Sequence, residues 1–531
     1  MKNHKNCNKQ DHLKWSRRSF LQSLGLASVG SMALANGKVN FLENNQLSQA
    51  INEADNDRIL ILVRLGGGND GLNTVIPLNQ YDLYANYRPN VKKLPNELWN
   101  LSDDYAMPND MISLQQTWEE GEMKIVHSVG YASQSQSHFK GSDNWYRGDT
   151  NTDINSGWMG RYLEDKFPNY TSDPLAYPAA IQFGATNVFS GDETEYNFVV
   201  ETINKLESIL DGGELYSLDG LTDCTYDDKL YYARAVTNTV NSYAEVIYEH
   251  YHNSTDFTEG AGYPDNDFST KLNVISRLIK GGIGTKIFMV TLGGFDTHSD
   301  QLNRHSILMT KLSETISYFH KDLNASGYGD KVLTMTFSEF GRRVRDNGTG
   351  TDHGVAAPIL FFGKGLNGNG FVGNHASLEE DQLYRNRDLQ WQTDFRQVYA
   401  TVLKEWLCVD TSTVDAVVLG QEYTALDLGF SCNSSLSTPT FTSTQTAFTT
   451  NAIYDAGQTY IHLSNNNTQH VVINLFDLNG NNLGQINNTL LTHGPHKFNI
   501  KESLNQNLDK GFYIYRITTN SKTVSKKVML I

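Results

Sequence analysis

Short apolar runs and longer helical patterns alternate between residues 50 and 430, and the apolar runs end in a shared way. In Arg58-Ile59-Leu60-Ile61-Leu62-Val63-Arg64-Leu65 the five residues from Ile59 to Val63 are an aliphatic run of the kind that is buried on both faces of a sheet, and the stretch stops at Gly66-Gly67-Gly68-Asn69-Asp70-Gly71. Residues 124–129 run into a polar loop, residues 286–292 into Gly-Gly-Phe-Asp-Thr-His, and residues 331–337 into Ser-Glu-Phe-Gly-Arg. Four such strands separated by helical patterns predict an α/β sheet protein. Ligands of open α/β sheets sit outside the carboxyl ends of the strands. The turns carrying Asp70, Ser137, Asp296/His298 and Glu339 are therefore expected to converge in one crevice. Residues 200–280 are helical by pattern without a strand-end cluster of this kind and are expected to form an inserted helical layer or lid.

The ends of the chain follow other patterns. Residues 1–18 hold six Lys or Arg against one acid, and an uncharged stretch runs from Ser19 to Gly37. Ser16-Arg17-Arg18-Ser19-Phe20-Leu21 resembles a twin-arginine export signal, with small residues at Ala33-Leu34-Ala35 for cleavage, so residues 1–35 are expected to be a signal peptide. The apolar run is shorter than the ~20 residues that a bilayer core requires, so no transmembrane segment is expected in the mature chain. Residues 433–450 contain eleven Ser or Thr in eighteen positions and no charge, the composition of a linker. Beyond it, period-two alternation around Val471–Leu478, a turn at Asn479-Gly480-Asn481 and a run at Gly511–Ile517 predict a small antiparallel β sandwich over residues 451–531. The pieces FDLNGNNL, LDKGFYIYRI and KKVMLI resemble the C-terminal sorting domain of the type IX secretion system. That resemblance implies transit through the periplasm to the cell surface or the medium, with the twin-arginine and type IX machineries as partners.

Composition narrows the possibilities further. With 531 residues, 39% hydrophobic and 11% aromatic, the chain can bury a large core and is too apolar for disorder. Its net charge of −16 gives no electrostatic reason for nucleic acid to bind. The four cysteines, Cys7, Cys224, Cys408 and Cys432, lie far apart without a CxxC spacing, which argues against a zinc ribbon or a thioredoxin-like motif.

The central fragments RLGGGNDGLNTVIPL, SQSHFKGSDNWYRGD, GWMGRYL, LGGFDTHSDQ, FSEFGRRVRDNGTGTDHG and APILFFGKGL resemble, in order, the bacterial family called domain of unknown function 1501, of the alkaline phosphatase-like superfamily. The resemblance implies an α/β sheet sandwiched by helices over residues 50–430. It also implies one or two divalent ions, zinc or manganese, held by an Asp/His cluster, and a hydroxyl nucleophile. By position, Asp70 matches a metal carboxylate and Ser137 the nucleophile at a helix N-terminus. Asp296 and His298 match a ligand pair at an unusually short spacing, with Asp300 and His305 as alternative partners. Glu339 stands where relatives carry Asp-His, and Phe340 occupies the place of that histidine. His353 matches the last metal histidine. His138 is a candidate ligand, orienting or substrate-binding group, and Arg342 is a candidate for binding an anionic substrate.

The function implied is metal-dependent hydrolysis of phosphate or sulfate esters, on a small anionic ester or a sulfated or phosphorylated polymer. The contrasting reading is a surface protein that keeps the fold without turnover and binds glycan or protein, as the missing histidine at Phe340 suggests. Metal-free hydrolysis by a Ser137–His couple is a weaker third. Twin-arginine receptors recognise the guanidinium pair rather than charge alone, so Arg17→Lys with Arg18→Lys is expected to leave precursor in the cytoplasm. Immunoblots of fractionated cells check this; undiminished export of the double variant would refute the signal.

Overall fold

The computed structural model describes residues 57–432 and 448–530, apart from residues 169, 171–173, 185, 193, 213–215, 218–224, 261, 421, 456–457, 466–467, 478–481, 505–507, 509 and 520–522. The expected signal peptide, most of the Ser/Thr-rich stretch and the Asn479-Gly480-Asn481 turn lie outside the described residues. The chain divides into one unit ending at Cys432 and a second beginning at Asn433.

The larger unit is built on a nine-stranded mixed sheet. Its strands are β1 (Ile59–Gly66), β2 (Met123–Gly130), β3 (Ala180–Phe183), β4 (Asn197–Val199), β5 (Ile287–Gly293), β6 (Val332–Phe337), β7 (Ala357–Phe362), β8 (Gly370–Val372) and β9 (Thr393–Asp394). They lie in the order β8-β2-β7-β6-β1-β5-β3-β4, with β9 also paired to β2. Strand β1 runs parallel to β5 and β6, whereas β7 is antiparallel to both of its neighbours. The expected strands coincide with β1, β2, β5 and β6.

The aliphatic run of β1 needs burial on both sides, and it obtains it. Ile59, Ile61, Val63 and Leu65 enter one apolar core, and Leu60 and Leu62 enter another on the opposite face. The first core is completed by α4 (Ile203–Gly212), α5 (Thr225–His252), α6 (Asp267–Lys280) and α7 (Gln301–Ala325). The second is completed by α2 (His138–Arg147), α3 (Trp158–Lys166) and α8 (Phe395–Thr401). One further helix, α1 (Tyr81–Tyr87), precedes Arg88 and contributes to a smaller cluster with Leu72 and Val344. The helical stretch expected at 200–280 thus supplies a layer of the sandwich, with Leu206, Ala244, Leu272 and Leu278 buried in its core.

The smaller unit contains β10 (Phe448–Asp455), β11 (Gln458–Asn465), β12 (Gln469–Phe476), β13 (Asn482–Leu491), β14 (Gly494–Asn499), β15 (Gly511–Thr518) and β16 (Thr523–Leu530). They form two antiparallel sheets, β10-β11-β14 and β13-β12-β15-β16. Alternate residues Val471, Ile473 and Leu475 of β12 meet Ile461 and Leu463 of β11 in a shared core. This period-two burial is what the sequence pattern predicts.

Cys408 and Cys432 are joined by a disulfide, and no free cysteine occurs among the described residues. The crosslink fastens the end of the larger unit. The Arg58 guanidinium, at the start of β1, donates to the carbonyls of Glu405, Trp406 and Ser431 beside it. Closing a loop across 24 positions is worth about 3 kcal/mol through the unfolded chain. Replacing both cysteines by serine is expected to lower the unfolding free energy by about 2–4 kcal/mol, measured by urea denaturation. An unchanged midpoint would show that the crosslink adds nothing.

Candidate functional site

The turns after β1, β2, β5 and β6 leave the sheet at the same end because these strands run parallel. The antiparallel direction of β7 brings the segment before it, Thr351-Asp352-His353-Gly354, to that end as well. Ala357 at the start of β7 pairs with Val129 near the end of β2. Close approach of the loops depends on the glycines after β1. A Cβ on Gly67 would lie 2.3 Å from the Asp296 backbone nitrogen, and one on Gly68 would lie 2.3 Å from the Phe340 ring; both residues have positive φ, which glycine tolerates.

At the centre is the Asp296 carboxylate. His298 Nε2 and His353 Nε2 each lie 3.2 Å from its Oδ1, and His138 Nε2 lies 3.5 Å from its Oδ2. The two former nitrogens are 2.9 Å apart. Each ring is held from its other side: His138 Nδ1 is 3.0 Å from Glu339 Oε1, His298 Nδ1 is 3.3 Å from Asp352 Oδ1, and His353 Nδ1 is 2.7 Å from the Gln136 carbonyl. Carbonyl and carboxylate oxygens only accept, so each Nδ1 carries the hydrogen, and in the neutral rings each Nε2 presents a lone pair toward Asp296. Burial lowers the pKa of His353, which favours its neutral form. Burial alone would raise the Asp296 carboxyl, but the hydrogen bond and positive charge of Arg342 outweigh that effect and bring it to about 2.

Lone pairs and a carboxylate facing one another repel; Arg342 offsets part of this at Asp296 Oδ1, and a cation among the nitrogens would offset the rest. His138, Asp296 and His353 offer ligand atoms all within 4.8 Å of one another, which is about 0.4 Å beyond the ~4.4 Å that two donors with bonds of ~2.0–2.2 Å can span, so a small inward movement of the side chains would let them share an ion. Two imidazole nitrogens and one carboxylate, with the His298 nitrogen beside them, are a donor set suited to a divalent metal ion. The residues therefore fit the kind of ion that the family resemblance implies.

The other expected residues are placed differently. Glu339, whose side chain is 1% exposed, turns Oε1 to His138 Nδ1 and to the Gly67 N–H at 2.9 Å, and Arg64 stands 3.6 Å away. It orients a histidine. Asp70 is fully buried and lies against Arg88, whose Nη1 is 2.6 Å from Oδ2 and 2.8 Å from Oδ1, while Gln301 Nε2 donates to Oδ2. Burial alone would raise the Asp70 carboxyl, but the Arg88 charge and hydrogen bonds hold it below its ordinary value. It serves an ion pair beside the cluster. Arg342 is buried, donating to the carbonyls of Gly68, Thr351, Gly67 and Phe295 and, at 2.6 Å, to Asp296 Oδ1. It ties three loops together and has no exposed face for a substrate. Of the alternative partners of Asp296, His305 is buried against Asn69, and Asp300 is exposed at the N-cap of α7.

Ser137 is the exposed N-cap of the ten-residue helix α2, and its side chain makes no capping hydrogen bond. It is flanked by Gln136, whose carbonyl holds His353, and by His138. Arg88, Gln136 and Gln301 were missed by sequence reasoning. Gln136 and Gln301 lie in the family-like fragments SQSHFKGSDNWYRGD and LGGFDTHSDQ and Arg88 in an ordinary polar stretch, and only the folded neighbourhood distinguishes their roles.

Comparison with known family models agrees with two of the resemblances above. Residues 234–418 match the family described as "Protein of unknown function (DUF1501)", and residues 456–531 match "Secretion system C-terminal sorting domain". Such a sorting domain implies export to the cell surface or the extracellular space, and no helix among the described residues is long and apolar enough to cross a membrane. No curated protein matches the sequence. Similar solved structures include a protein of the alkaline phosphatase superfamily from Vibrio parahaemolyticus (10% identity, 85% of this chain and 84% of that chain, TM-score 0.30). A phosphonate monoester hydrolase from Silicibacter pomeroyi (7% identity, 88% and 86%, TM-score 0.32) and a sulfatase from Pseudoalteromonas (10% identity, 86% and 86%, TM-score 0.29) are others.

The Arg88–Asp70 pair gives a stability prediction. Arg88→Met leaves a buried carboxylate without its cation and is expected to cost about 3–5 kcal/mol at pH 7. The native Asp70 value lies below the unfolded one, so its contribution to stability is present above about pH 3.9 and is lost as pH falls through the native value. In the variant, burial without the cation raises the carboxyl instead, so acid relieves the variant. Denaturation curves at stepwise lower pH should show the gap between the two proteins narrowing; a gap independent of pH would assign the loss to packing.

Proposed function

We propose that this chain is an exported metal-dependent hydrolase of phosphate or sulfate esters. The observation that carries this reading is the convergence of three histidine Nε2 atoms on Asp296, each ring anchored through Nδ1. His138, Asp296, His298 and His353 would hold a single ion, with zinc favoured over manganese by the three nitrogens. Asp70 and Glu339, which a second ion would need, are engaged by Arg88 and by His138. Bound there, the ion supplies Lewis acidity and lowers the pKa of a nearby hydroxyl.

The chain's own residues perform the rest. Backbone N–H groups at the start of α2 favour an anionic phosphoryl or sulfuryl group beside Ser137. Ser137 Oγ attacks the phosphorus or sulfur, loses its proton to solvent, and forms a seryl ester as the bond to the alcohol breaks. The departing alkoxide takes a proton from water. A water molecule then cleaves the seryl ester, restoring the Ser137 hydroxyl and releasing phosphate or sulfate. After export by a twin-arginine route, the sorting domain would direct the enzyme to the surface, released or attached, where small esters and sulfated or phosphorylated polymers are both within reach.

One observation favours the second reading, a surface protein without turnover: the buried Arg342 guanidinium already lies 2.6 Å from Asp296 and partly neutralises it. Metal analysis and aryl-ester assays separate the two. The active reading expects about one zinc per chain, loss of both metal and turnover in Asp296→Ala, and retained metal in Ser137→Ala with turnover reduced by roughly 10³-fold or more. A protein that binds metal yet cleaves neither aryl phosphates nor aryl sulfates supports the second reading, and a protein with neither property defeats the first.

A further inference from the structure

The side chain of Gln301 is fully buried at the first position of α7, behind the histidine cluster. Its Oε1 accepts from Thr351 Oγ1 at 2.5 Å and from Thr297 Oγ1 at 3.2 Å, and its Nε2 donates to Asp70 Oδ2. Thr297 stands between Asp296 and His298 in the chain, and Thr351 stands two residues before His353. One amide therefore touches both loops that carry the converging groups. Backbone bonds parallel it: Gln301 N–H donates to the Thr349 carbonyl at 3.0 Å, and Thr351 N–H donates to the Thr297 carbonyl at 3.2 Å.

The amide is itself held. Asp70 fixes its NH₂ end, and Arg88 fixes Asp70 while donating to the carbonyls of Val344 and Arg343. Asn73 receives hydrogen bonds from Arg88 at 3.0 Å and from Tyr84 at 2.8 Å. The amide cannot rotate end over end at low cost, because a flip would set its oxygen against the Asp70 carboxylate, two acceptors with no hydrogen between them. The threonine hydroxyls must then both donate, which sets their rotamers and, through them, the backbone of each loop.

We propose that Gln301, with Asp70 behind it and Thr297 and Thr351 in front, is the positioning unit that holds the 294–300 and 349–354 loops in register and so preorganises Asp296, His298 and His353. The consequence for metal affinity rests on the hydrolase reading above; the coupling of the two loops does not. Outer groups that orient ligands typically change metal affinity by about 10–100-fold when removed.

Two measurements on the full-length protein test this. Hydrogen exchange of the metal-free protein should show Gln301→Met losing protection in residues 294–300 and 349–354 together, by about tenfold or more, while β5 and β6 keep theirs. Thr351→Val, a smaller change that guards against misfolding of the first variant, should act in the same way, and Thr351→Ser, which retains the hydroxyl, should restore wild-type exchange. Titration with cobalt(II) should show affinity lowered about 10–100-fold in Gln301→Met and Thr351→Val but not in Thr351→Ser, with the Gln301→Met/Thr351→Val pair no worse than Gln301→Met alone. Wild-type exchange in both loops of Thr351→Val, or faster exchange spread evenly over the sheet, would overturn the proposal. So would equal effects of the Val and Ser variants. A wild-type protein that binds no cobalt defeats the metal reading alone, and the exchange data still decide whether the loops are coupled.

Discussion

The candidate site depends on strand direction. Parallel strands β1, β2, β5 and β6 all release their chains at one end of the sheet, and the single reversed strand, β7, returns the chain to that end just before it enters the sheet. Asp296, His298 and His138 thus arrive after strands, whereas His353 arrives ahead of one. Groups separated by more than two hundred positions come within hydrogen-bonding distance because the hydrogen-bond ladders hold the strand ends to within a residue.

Bringing so many polar groups together carries an electrostatic cost that the surroundings offset. Buried polar and charged groups are tolerated when each has a partner, and here the partners are layered. Arg342 offers its guanidinium to four backbone carbonyls and to Asp296, so the loops that bear the site are stapled by a residue with no solvent contact. Arg88 performs a comparable task behind them, neutralising Asp70 and capturing the carbonyls of Arg343 and Val344. The histidines then vary in exposure from the outside inward: His298 is the most open to solvent and His353 the least.

The layering also separates residues that touch a reacting group from those that orient them. Glu339, expected as a ligand, stands one step back and holds His138. Phe340 packs against both His138 and His353 and walls that strand end with an aromatic ring. His138, arriving from a different strand, fills the gap on the carboxylate.

Much of this architecture was legible in the sequence. Aliphatic runs that stop at glycine announce buried strands, because no other local structure hides both faces of five or more consecutive apolar residues within so short a length. Alternation in residues 471–478 announces a half-buried sheet for the same physical reason. Strand ends mark where polar chemistry collects, and Asp296 and His298 were identifiable on that basis; His353, which precedes a strand, was identifiable only through the family resemblance. The order of strands across the sheet was not, since pairing is decided by contacts between distant segments. Nor was the division of labour among the carboxylates: Asp70 and Glu339 look like ligands in the chain, and only the folded positions of Arg88 and His138 make one an ion-pair member and the other an anchor. Gln301 closes the fragment LGGFDTHSDQ, but nothing in the chain marks its role. Its role exists because the tertiary structure places one amide against two loops and a buried carboxylate, where hydrogen-bond donors and acceptors can be satisfied in a single orientation.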